Sequence, residues 1–91
     1  MASVIVTLRI MPKSPESNLK KIEEQVSHLV KEFGGSVGKV EEIPVAFGLN
    51  SLNITFIMDE SIGSTEELEK QAAAVSEVNS VEVTDVRRAV G

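Results

Sequence analysis

The spacing of apolar residues switches between two periods along the chain, and the order of the switches restricts the fold more than any single motif does. In residues 3–10, Val4, Val6, Leu8 and Ile10 share one face while Ile5, Thr7 and Arg9 share the other. Such alternation reads as a half-buried strand. Pro12 and Pro15 follow in "MPKSPESN" and are expected to stop it, since proline has no amide proton to offer a ladder. Ser14, Ser17 and Asn18 each suit the first position before a helix. From residue 19 to residue 33 the period becomes helical. Leu19, Ile22, Val26, Leu29, Val30 and Phe33 form one stripe, with Lys20, Lys21, Glu24, Ser27, His28 and Lys31 opposite. Gly34 and Gly35 end the helix, because glycine takes the left-handed cap conformation at little steric cost.

Residues 36–43 alternate less cleanly, through Val37, Val40 and Ile43, which predicts an edge strand or a bulge. In a third strand Leu52, Ile54, Phe56 and Met58 alternate with Asn53, Thr55 and Ile57. Ser64 and Glu67 then have the spacing of a capping box, and Glu66, Glu67 and Glu69 suit the positive end of a helix dipole. Leu68, Ala72 and Val75 would point inward from this second helix. "SEVNS" breaks it, "VEVTDV" at residues 81–86 reads as a short fourth strand, and "RRAVG" follows as a tail.

The order is β-α-β-β-α-β. Right-handed crossovers place both helices on one face of a four-stranded antiparallel sheet. The expected fold class is α+β, a ferredoxin-like sandwich with strand order 4-1-3-2, in a single domain over residues 1–91. Val6, Leu8, Leu19, Ile22, Val26, Leu29, Ile54, Phe56, Leu68, Val75 and Val83 are the expected core.

That fold hosts many functions, so missing residues do the sorting. The chain has no cysteine and one histidine, which removes thiolate chemistry, the paired cysteines of a metal chaperone and any histidine-pair metal site. Fourteen acidic residues against nine basic ones give a net charge of −5. The outward residues of the first and third strands include no aromatic, so neither direct RNA nor DNA binding is expected. The arginine-bearing anion cradle of an acylphosphatase-like site is absent from "MPKSP". Glu41 with Glu42, Asp59 with Glu60, and Glu66 with Glu67 flank bends and read as solvated charge, as does His28 on the polar side of its helix. No apolar run is long enough to span a membrane and no signal-peptide core is present, which points to the cytoplasm.

Two features are not absorbed by this layout. In "PVAFGLNS", Pro44 ends the second strand and Gly48 permits a turn, which leaves Phe47, one of only three aromatic residues, at the hairpin. The apolar pattern favours a plug over the end of the core there, slightly ahead of an exposed anchor for a partner. Arg87 and Arg88 form an adjacent pair beyond the fourth strand, either solvated or aimed at a carboxylate or phosphate site.

"PVAFGLNSLNI", the closing "VTDVRR" and the opening "VIVTLRIMPKSPESNL" together resemble the guanine-nucleotide exchange domain of translation elongation factor 1-beta in its short, archaeal-type form. The likeness covers essentially the whole chain, and the Pro-x-x-Phe-Gly hairpin is its most specific piece. The resemblance implies a ferredoxin-like fold and release of GDP from elongation factor 1-alpha, the GTPase that carries aminoacyl-tRNA. It implies no cofactor and no covalent chemistry on this chain. Phe47, with Pro44 and Gly48, matches the hairpin that in eukaryotic relatives meets the second domain of the GTPase. Arg88, preceded by Arg87, falls where those relatives carry a lysine that enters the GTPase's magnesium site. The arginine keeps the charge but is larger and planar. The competing expectation is a ligand-sensing or dimerising module of the same fold, with Phe47 in the core.

Overall fold

The computed structural model describes residues 2–89. Strands β1 (Ser3–Pro12), β2 (Ser36–Pro44), β3 (Asn50–Asp59) and β4 (Val78–Ala89) form one antiparallel sheet in the order β2-β3-β1-β4. Helices α1 (Leu19–Phe33) and α2 (Glu66–Ala73) complete the β-α-β-β-α-β order. The strand order is the expected 4-1-3-2 read from the other edge, so the fold is ferredoxin-like.

Burial follows the alternation of the two central strands. Val6, Leu8 and Ile10 of β1 and Leu52, Ile54, Phe56 and Met58 of β3 are buried, against Ile22, Val26 and Val30 of α1 and Leu68 and Ala72 of α2. Of the expected core, Leu19, Leu29, Val75 and Val83 are only partly buried and pack on its margin. Asn18 caps α1 by accepting a hydrogen bond from the Lys21 backbone N–H at 3.2 Å. At the other end Gly34, at φ +107°, adopts the left-handed conformation that stops the helix.

The structure corrects several sequence readings. β1 continues through Pro12, which pairs with Val78 at the very end of the ladder, where the missing amide matters least. The box between Ser64 and Glu67 does not form. Instead Thr65 occupies the cap, its hydroxyl donates to Glu69 at 2.9 Å, and the Ser64 hydroxyl accepts from the Glu66 N–H at 3.1 Å. α2 ends at Ala73, so Val75 lies in the following turn. β4 is not short: its 12 residues start inside "SEVNS" and carry Arg87 and Arg88 within the strand. The tail residues Val90 and Gly91 lie outside the described residues.

Both edge strands are irregular. β2 slips register between Val37 and Lys39, at Gly38, as its broken alternation suggested. β4 slips between Val83 and Asp85 opposite Leu8 and Thr7, with Thr84 as the extra residue. Before that bulge Val81 and Val83 face the helices; after it Val86 and Arg88 do, paired with Val6 and Val4.

Candidate functional site

The hairpin joining β2 to β3 is built for a tight reversal. The Leu49 N–H donates to the Ala46 carbonyl at 3.1 Å, and the Val45 N–H donates to the Leu49 carbonyl at 2.8 Å. Phe47 and Gly48 are therefore the two central residues of a turn, with φ of +60° and +75°. Positive φ at both positions is the type I′ signature, whose twist matches that of the flanking strands. Gly48 takes this conformation freely, but the first central position normally holds Asn, Asp or Gly. A phenylalanine there costs about 1–2 kcal/mol of backbone strain. The hairpin base is held by Ser51, whose buried hydroxyl donates to the Ile43 carbonyl at 3.3 Å.

The strain does not serve packing. Phe47 is 93% exposed, the most exposed large hydrophobic residue among the described residues. The expected plug over the core is thus overturned. The reason is geometric: a two-residue turn projects its first side chain away from the strands, so it cannot fold back over the sheet. A Cβ added at Gly48 would come 3.9 Å from Pro15 of the loop between β1 and α1, so the hairpin faces that loop.

The arginines lie at the other end. Ile10 of β1 faces Leu52, close to the hairpin, whereas Val4 faces Arg88. Six residues of strand separate these rows, about 20 Å at roughly 3.3 Å per residue. Successive strand residues face opposite ways, and each arginine has its own ion partner. Arg87, beside Ile5 on the open face of the sheet, meets Asp85 at 2.8 Å through its Nε. Arg88, on the helix-covered face, pairs with Glu60. Both remain largely solvent-exposed, with side-chain exposures of 75% and 69%.

Glu60 opens a single 3₁₀ turn, Glu60–Ile62, directly after β3. Its N–H donates to the Ala2 carbonyl at 3.0 Å, and Asp59 accepts from the Ser61 N–H at 2.8 Å. That backbone hydrogen bond holds the Asp59 carboxyl below the usual aspartate range. Between this corner and β4 lies an open cavity of about 310 Å³, lined by Val4, Val6, Met58, Glu60, Val86 and the residues entering α2. Val86 is 58% exposed at the edge of this cavity. Sequence alternation missed this placement, although the three-residue step from Val83 to Val86, after the two-residue step from Val81, marks the bulge.

Among the described residues no group of three or more His, Asp or Glu side chains is placed to hold a metal ion. His28 is an exposed partner of Glu32 at 2.7 Å, as its place on the polar face of α1 indicated. Among the described residues no helix is long and apolar enough to cross a membrane. The exposed Phe47 hairpin and the arginine pair lie at opposite ends of the sheet.

The class that this fold defines is a small ferredoxin-like α+β domain with an exposed hairpin at one end of its sheet. Residues 5–89 match the model of the EF-1 guanine nucleotide exchange domain, and the chain belongs to that family. Its role therefore lies in guanine-nucleotide exchange during translation elongation. It is similar to the protein called elongation factor 1-beta in Methanosphaera stadtmanae, with 42% identity over 97% of this chain and 98% of that one. The proteins of the same name in Methanobrevibacter smithii and Methanothermobacter thermautotrophicus are 40% and 35% identical over the same shares. A de novo designed protein, Foldit4, has the same fold, with a TM-score of 0.63 at 19% identity over 98% of each chain.

Proposed function

We propose that this chain is a single exchange domain that promotes replacement of GDP by GTP on translation elongation factor 1-alpha, regenerating the form that binds aminoacyl-tRNA. The observation that carries this reading is Phe47. A fully exposed aromatic in a strained turn has no use in the folded monomer, and it sits on the hairpin that matches the exchange family's contact with the GTPase. Phe47, shaped by Pro44 and Gly48, is the anchor. Arg88 is the probe that enters the GTPase's magnesium site, and Arg87 makes a rim contact or none.

The mechanism needs no covalent step and no cofactor on this chain. A magnesium ion on the GTPase would help it retain GDP. The Arg88 guanidinium would compete for that place while Phe47, at the distant end, keeps the complex together. The factor binds the nucleotide-free GTPase better than the GDP form, so it shifts the population by differential affinity. GTP then displaces it. The chain works in the cytoplasm, on a protein partner, without touching nucleic acid itself.

The test is stopped-flow release of a fluorescent GDP from purified elongation factor 1-alpha at saturating factor. Wild type should accelerate release. Arg88→Ala should slow it substantially while retaining much of the binding, Arg88→Lys should retain activity, and Arg87→Ala should change little. Loss confined to Arg87→Ala would move the probe by one residue. No acceleration by wild type would reject the function.

A further inference from the structure

The probe residue is not free in the isolated protein. Arg88 leaves β4 on the helix-covered face and reaches across β1 to Glu60. Met58, Val4 and Arg88 form one row of that face, so the guanidinium passes over the row's end to the corner that follows β3. Glu60 is itself fixed, by its N–H bond to the Ala2 carbonyl and by the Asp59–Ser61 turn that shapes the corner. It also lines the open cavity beneath, with Val4 and Val86. Arg87 has no comparable tie: its partner Asp85 lies two residues away on its own strand.

We infer that Glu60 is a resting counter-ion for Arg88, a positioning residue that competes with the GTPase for the guanidinium and so sets how tightly the nucleotide-free complex is held. This rests on the assignment of Arg88 as the probe. An arginine cannot lie on Glu60 and occupy a magnesium site at once, so engaging the GTPase breaks the pair and withdrawal restores it. The pair lowers the cost of withdrawal by as much as it opposes entry. An exchange factor needs that balance, because a probe held too firmly would block the returning nucleotide.

The pair is exposed, so the effect is bounded. Coupling energies of such pairs correspond to about 1.5- to 5-fold in an equilibrium constant, and salt weakens them. Glu60→Gln should tighten binding to the nucleotide-free GTPase by about that factor and slow displacement by GTP correspondingly. In the Arg88→Ala background the same substitution should do nothing. The benefit should shrink as ionic strength rises from low to physiological.

The decisive measurement is a double-mutant cycle with Glu60→Gln and Arg88→Ala, read in affinity for the nucleotide-free GTPase and in the rate of displacement by GTP. Stability of all four free proteins is measured alongside. A coupling that appears in affinity, in the displacement rate and in the free proteins supports the resting role. An equal effect of Glu60→Gln in both backgrounds would reduce Glu60 to a general field and overturn it. Unchanged or weaker binding by Glu60→Gln with Arg88 intact would overturn it too. If wild type accelerates GDP release and Arg88→Ala slows it but the cycle shows no coupling, only the resting role fails. If wild type does not accelerate release at all, the functional assignment fails with it.

Discussion

Phe47 is a residue that strains the monomer's backbone and returns no packing to it. Its left-handed backbone would suit asparagine, which the first position of a type I′ turn prefers. Phe47→Asn should therefore raise stability by about 1 kcal/mol, seen as a higher melting temperature. The same substitution should abolish the anchor. Phe47→Ala should weaken binding to the GTPase by about 2 kcal/mol or more, roughly 30-fold, in a titration with the purified partner. A variant that unfolds, or one that binds as wild type, would contradict the anchor role. The sequence displayed this residue but not its direction. Apolar pattern alone sends a phenylalanine inward, and only the hydrogen bonds that make Phe47 and Gly48 the two central turn residues send it out.

At the scale of elements, the two central strands and α1 were legible because each keeps one period over its whole length. Phe56 illustrates the consequence: it alternates inward on β3 and is fully buried in the core between the sheet and the helices. Phe56→Ala should cost about 3–5 kcal/mol from lost burial and the cavity left behind, read from the denaturant midpoint. α2 is less legible because it is 8 residues long and has two adjacent residues able to cap it, Ser64 and Thr65. β4 was underestimated because its bulge interrupts the alternation that would otherwise announce a long strand. The corner after β3 carries a pH signature. Ser61 donates its N–H to the charged form of Asp59, so the folded pKa lies below the unfolded value. Its stabilisation is present above the ordinary carboxylate pKa of about 4 and is lost as the pH falls through the depressed folded value. Asp59→Ala should accordingly lower the denaturant midpoint at neutral pH, and the gap from wild type should close in acid.

Taken whole, the molecule measures 42 × 21 × 17 Å, and the Phe47 and Arg88 ends are joined by hydrogen-bonded strands rather than by a flexible linker. Distant sites with no shared neighbours contribute independently. The losses in binding from Phe47→Ala and Arg88→Ala should therefore add to within about 0.5 kcal/mol in the double variant. A larger discrepancy would mean that the partner, not this chain, links the two ends. How charge is shared between the two broad faces is decided elsewhere, by Thr84. Strand residues obey a parity rule, and one unpaired residue inverts it for everything downstream. With the bulge, Asp85 and Arg87 go to the open face and Val86 and Arg88 to the helix side. Were the strand ironed flat with Thr84 retained, every later side chain would exchange faces, and Arg87 would take the side that Arg88 now holds. Which of two chemically identical neighbours faces the helix side is thus written not at positions 87 and 88 but several residues upstream, as a phase.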